Sequence, residues 1–93
     1  MTTVKANNNI YEALGFEQAE AENLRIRSQL MMKLEAFIKK QEFTQTAAAS
    51  FFGVEQPRIS DLVNGKINKF TIDMLVNMLA KAQVRVDLKF KAA

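Results

Sequence analysis

Gln56 and Arg58 stand two positions apart in the run Gly53-Val54-Glu55-Gln56-Pro57-Arg58-Ile59, and both carry side chains suited to reading flat, hydrogen-bonding surfaces. A carboxamide matches the donor and acceptor pair of adenine, and a guanidinium matches the two acceptors of guanine. Covalent chemistry is poorly provided for. With no Cys and no His, the chain lacks both thiolate and imidazole, which removes most zinc, haem, thiol-nucleophile and Ser-His hydrolase mechanisms. Asp61 and Asp73 invite a reading as a carboxylate pair for acid-base work, but helix capping and surface charge account for them better. The expectation is a protein that binds rather than catalyses, without metal or cofactor.

The elements that would position these side chains belong to one small domain. A chain of 93 residues, 48% hydrophobic and 25% charged with three Gly and one Pro, has an ordinary globular composition and room for a single modest core. Charge is unevenly spread: residues 1–24 carry a net −3 and residues 25–93 a net +6. A basic body suits a polyanion such as DNA; an acidic leader suits a different partner. No apolar run approaches the roughly 18 residues of a membrane span, and the polar start lacks a signal peptide's apolar segment, so a cytoplasmic location is expected.

Residues 1–9 are polar and aperiodic and read as a mobile terminus, followed by a short apolar docking turn from Ile10 to Phe16. From Glu17 to Gln41 there is neither Gly nor Pro, and Leu30, Met31, Leu34, Phe37 and Ile38 form one helical stripe. Thr44 is a plausible cap for a short helix from Gln45 to Phe52, stopped by Gly53. Pro57 fits only the first turn of a new helix, which should start near Gln56 and run to Val63, with Ile59, Leu62 and Val63 facing inward. Asn64-Gly65-Lys66 breaks the chain, and Thr71 caps a last helix whose apolar positions are Ile72, Leu75, Val76 and Leu79. In the tail Val84, Val86, Leu88 and Phe90 alternate with charged residues, which is strand spacing. The simplest partner for a lone strand is the same segment of a second copy; a frayed helix end or pairing with residues 2–6 is the alternative.

Two short helices around a Gly-containing corner make a helix-turn-helix, in which the second helix enters the DNA major groove. Each motif position has a packing reason. Ala49 must be small where the helices cross, Gly53 permits a left-handed corner, and Val54, Ile59 and Leu62 bury the motif against its scaffold.

Through Thr44-Gln45-Thr46-Ala47-Ala48, Gly53 to Leu62 and Asn64-Gly65-Lys66, the sequence resembles the Cro and phage-repressor-like (XRE) helix-turn-helix family. The stretches Tyr11 to Phe16, Leu24-Arg25-Ile26-Arg27 and Phe70-Thr71-Ile72-Asp73 extend the likeness to the small HigA-like antitoxins. The resemblance covers about residues 10–90. It implies an all-α, lambda-repressor-like bundle of about four helices with a C-terminal β-strand pairing across a dimer. The implied division is residues 1–16 as leader, 17–83 as DNA-binding domain with its motif at 44–63, and 84–93 as dimerisation strand.

The roles implied at matching positions are these. Gln45 bonds a phosphate and braces Gln56; Gln56 reaches a base edge, with Arg58 as the other base reader; Ser60, Asn64, Lys66 and Lys69 hold the sugar-phosphate strand. Glu55 departs from the small hydroxyl residue usual in the family. The expected function is a homodimeric repressor of a palindromic DNA operator, acting also as the antitoxin of a basic RNA-cleaving toxin in a toxin-antitoxin pair. A stand-alone phage-like repressor is the nearest alternative. A protein-interaction adaptor that keeps the fold without touching DNA is the rival from another class.

Overall fold

The computed structural model describes residues 17–92. They form four helices, α1 (Gln18–Lys40), α2 (Gln45–Phe52), α3 (Gln56–Val63) and α4 (Ile72–Lys81), with one 3-10 turn (Ile67–Lys69) between α3 and α4. The expectations for the leader, including its docking turn at 10–16, lie outside the described residues.

The long α1 forms where no Gly or Pro interrupts, with Glu20 in its first turn and Lys39 and Lys40 in its last, an order that suits the helix dipole. It lies along α4 and touches α3 and the 3-10 turn, while α2 packs on α3. Thr44 and Thr71 cap α2 and α4, accepting hydrogen bonds from the Ala47 and Met74 amides at 3.0 and 3.2 Å. Pro57 sits in the first turn of α3, where its missing N–H costs nothing.

All four helices end alike. A residue with left-handed backbone follows each, and the next amide reaches back to a carbonyl five residues earlier: Phe43 to Ile38, Val54 to Ala49, Lys66 to Asp61 and Val84 to Leu79. Two of these left-handed residues are Gly53 and Gly65, as the sequence indicates. The other two are Glu42 (φ 56°) and Gln83 (φ 60°), at positions with no compositional signature.

One apolar core joins the helices. It is built from Leu30, Met31, Leu34 and Ile38 of α1, Ala48, Ala49 and Phe52 of α2, Ile59 and Leu62 of α3, Phe70, and Leu75, Met78 and Leu79 of α4. Truncating a fully buried side chain such as Leu34 or Phe52 costs about 2–5 kcal/mol. Five expected core positions differ. Val63 and Val76 are exposed and Phe37, Val54 and Ile72 only half-buried, while Met78 is buried. At 100° per residue Val63 lies on the flank of the stripe that Ile59 and Leu62 define, about 40° from Ile59 and about 100° from Leu62.

The expected C-terminal strand is absent: there is no strand among the described residues, and 84–92 run without regular secondary structure. A strand exists only when another backbone satisfies its N–H and C=O groups. Among the described residues, no backbone hydrogen bond follows that of the Val84 amide. Val84 and Val86 pack against the core, whereas Leu88 and Phe90 are 73% and 90% exposed.

Candidate nucleic-acid interface

The helical pair α2–α3 is set by its corner. The left-handed Gly53 (φ 69°) turns the chain, and Lys81 of α4 donates from Nζ to the Phe52 carbonyl at 2.6 Å, closing the end of α2. Glu55 then runs extended into α3, where Ile59 and Leu62 are wholly buried. These two residues fix the rotation of α3. At 100° per residue, the side turned away from them carries Pro57, Ser60, Asp61 and Asn64, with Gln56 on one flank and Arg58 on the other. Pro57 and Asn64 are exposed and Ser60 and Asp61 half-exposed; Asn64 Nδ2 donates to Ser60 Oγ at 3.4 Å.

The seven residues singled out from the sequence divide into two groups. Gln45, Gln56, Ser60 and Asn64 lie at the start of α2 and along the open side of α3, and Lys66 and Lys69 are exposed in the loop that follows. Arg58 is different. Its Nη1 donates to the Lys69 carbonyl at 2.8 Å and its guanidinium lies over the Phe70 ring, so it is engaged with the protein's own loop. The expected brace between Gln45 and Gln56 is replaced by a neighbour: Thr46 Oγ1 donates to Gln56 Oε1 at 3.5 Å, the outer limit of such a bond. Sequence reasoning missed Pro57 and Asp61 on the open side, and a helical wheel drawn through Ile59 and Leu62 would have found both.

Beside α3 an open groove of about 480 Å³ is lined by Val54, Glu55, Pro57, Arg58, Asp61 and Lys69. Two acids and two bases leave its walls close to neutral. Lys66 stands outside that balance, so the uncompensated positive charge lies in the loop at the end of the helix rather than along it. The arrangement offers amide, hydroxyl and carboxylate groups to a base edge and ammonium groups to a phosphate strand. No helix among the described residues is long and apolar enough to cross a membrane.

Comparison with known proteins agrees with this geometry. A family model described as a helix-turn-helix domain matches residues 12–91. A solved structure described as an XRE family transcriptional regulator is similar at a TM-score of 0.72 and 29% identity, over 78% of this chain and 82% of that one. No curated protein matches. With a matching model that spans most of its length and a fold shared with an XRE regulator, the chain belongs to the helix-turn-helix domain family and its motif is XRE-like.

Proposed function

We propose that this protein is a DNA-binding transcriptional regulator that places α3 in the major groove. The observation that carries this reading is the open side of α3, where Pro57, Ser60, Asp61 and Asn64 face away from the core with Gln56 at the leading edge. Gln56 reads a base, Gln45 and the α2 N-terminus meet a phosphate, and Lys66 and Lys69 hold the strand beyond. Asp61 and Glu55 suit a cytosine amino group, the donor a carboxylate can accept from.

The protein works as a homodimer on a palindromic operator in the cytoplasm, repressing by occupancy. Support for the dimer is the exposed Leu88 and Phe90 in a tail whose backbone lacks partners among the described residues; antiparallel pairing with a second copy supplies both. The two α3 helices then meet grooves about 34 Å apart. An antitoxin role rests on the net −3 charge of residues 1–24, which suits a basic RNA-cleaving enzyme.

The test is selection of bound duplexes from a random pool, read with the solution mass and a salt titration. A palindromic consensus, a dimeric mass and a log–log salt slope of about −4 for two lysines per protomer are expected. A chain that shows no preference for any duplex is an adaptor instead. A basic protein that co-purifies and is neutralised by this chain supports the antitoxin role; its absence leaves a plain repressor.

A further inference from the structure

We infer that Arg27, on the long helix α1 and 39 residues before Lys66, is a positioning residue for the loop that holds the DNA strand; this rests on the DNA-binding reading above. Arg27 Nη1 donates to two carbonyls, Ile67 O at 3.0 Å and Phe70 O at 3.2 Å, while Nε donates to Asn23 Oδ1 at 2.7 Å one turn earlier. The two carbonyls bracket the 3-10 turn that contains Lys69 and follows Lys66. From α3, Arg58 takes the intervening Lys69 carbonyl. Two guanidiniums from two different helices thus hold three carbonyls of one four-residue stretch.

The loop needs such anchors. Its own backbone bonds are local: Ile67 to Gly65, Lys69 to Lys66 and Phe70 to Ile67. The amides of Gly65 and Lys66 tie the start of the loop to the Leu62 and Asp61 carbonyls of α3, but from Ile67 to Phe70 the backbone bonds shape the turn without linking it to any helix. Phe70, 2% exposed, pins one end in the core, and the arginines orient the rest. Arg27 is half-buried with its Nε and Nη1 donors committed, so it acts on DNA through the backbone that carries Lys66 and Lys69. A planar guanidinium suits this bridging, since it presents several donors in a fixed fork to acceptors on separate residues.

The experiment measures binding of the wild type and of Arg27→Met, Arg27→Lys and Asn23→Ala to a selected duplex and a scrambled one across a salt series. Amide hydrogen exchange is followed on each free protein. Arg27→Met should lose about tenfold in affinity for both duplexes alike, close to 1.4 kcal/mol, with the preference ratio kept and the salt slope flattened by about one unit per protomer. Exchange should rise at Ile67 to Phe70 and stay unchanged in α2 and α3. Arg27→Lys should recover part of the loss, and Asn23→Ala should show a smaller change in the same direction.

Wild-type affinity and slope in a folded Arg27→Met would overturn the inference. So would an affinity loss accompanied by faster exchange throughout the domain, which marks a merely structural role. If Arg27→Met does not fold, Asn23→Ala, altered only on the exposed side of α1, decides by the same readings. A wild type that binds no duplex overturns the DNA-binding reading itself, an outcome distinct from a wild type that binds and variants that match it.

Discussion

Arg58 lies over the face of Phe70, its guanidinium carbon 5.5 Å from the ring centroid, and ties α3 to the loop that follows it. With the bond to the Lys69 carbonyl, this makes Arg58 a brace rather than a free side chain awaiting a base. The expected outcome for Arg58→Met is a loss of about 1–2 kcal/mol in unfolding free energy, from one charge-assisted hydrogen bond and one partly exposed cation–π contact. Affinity should fall in parallel for all duplexes. Relaxed preference at a single base position in a selection experiment would show instead that the guanidinium leaves Phe70 to read a base.

The corner of the motif gives a second test. A Cβ at Gly53 would meet Lys81 Nζ at 2.8 Å, and φ there is +69°. Gly53→Ala should cost about 1–2 kcal/mol from the left-handed backbone alone and displace the ammonium from the Phe52 carbonyl. Lys81→Met should cost about 1 kcal/mol by leaving that carbonyl unpaired. Because both changes break the same bond, the double variant measured by urea unfolding should be less destabilised than the sum of the two.

Two helix ends invite stabilisation. Glu42 and Gln83 adopt left-handed backbone that favours Gly, and the hydrogen bonds they support are made by the backbone alone. Glu42→Gly and Gln83→Gly should each raise stability by about 0.5–1 kcal/mol and together add, since they cap different helices. A fall in the unfolding midpoint for either would show that its side chain contributes more than its backbone strain costs.

How much of this was legible beforehand follows from which forces act locally. The helix ends could be placed because Thr44 and Thr71 cap through their own hydroxyls, and Gly53, Pro57 and Gly65 act through their own backbone, all within one turn of where they stand. The ends at Glu42 and Gln83 carry no such mark; it is the residues that follow, Phe43 and Val84, that pack against the core while their amides reach back into the helix. The rotation of α3 is implicit in Ile59 and Leu62, but Val63 lies on the flank of that stripe, about 40° from Ile59, and its exposure depends on what packs beside it. Arg58 was read by what its head group can bind, and the nearest acceptor proved to be the protein's own carbonyl, a long-range relationship that spacing does not encode. The tail pattern of Val84 to Phe90 specifies two faces, but a strand also needs a second backbone, which the described residues do not supply.

Titration separates folding from binding. The Arg25 hydrogen bond to the Glu22 carboxyl lowers its pKa from the ordinary carboxylate value, partly opposed by desolvation and aided by the charge of Arg25. A depressed carboxylate stabilises the fold above its unfolded pKa, and that contribution fades as pH falls through the lower folded value. The pair is solvent-exposed, so its effect is small and confined to acid. With no His and no Cys, no side chain of ordinary pKa changes charge between about pH 6 and 8. Duplex affinity at fixed ionic strength should be flat across that range, as read by fluorescence anisotropy; a slope there would point to a group whose pKa moves on binding.

The central claim, that the open side of α3 and the loop after it form the DNA-contacting surface, is tested most directly by amide chemical shifts of the labelled protein titrated with a selected duplex. The account expects the largest changes at Gln45, Gln56, Ser60, Asp61, Asn64, Lys66 and Lys69, with α1 perturbed only around Arg27. Changes centred instead on the aromatic cluster of Phe37, Phe43 and Phe51, on the α1–α2 side, would contradict it.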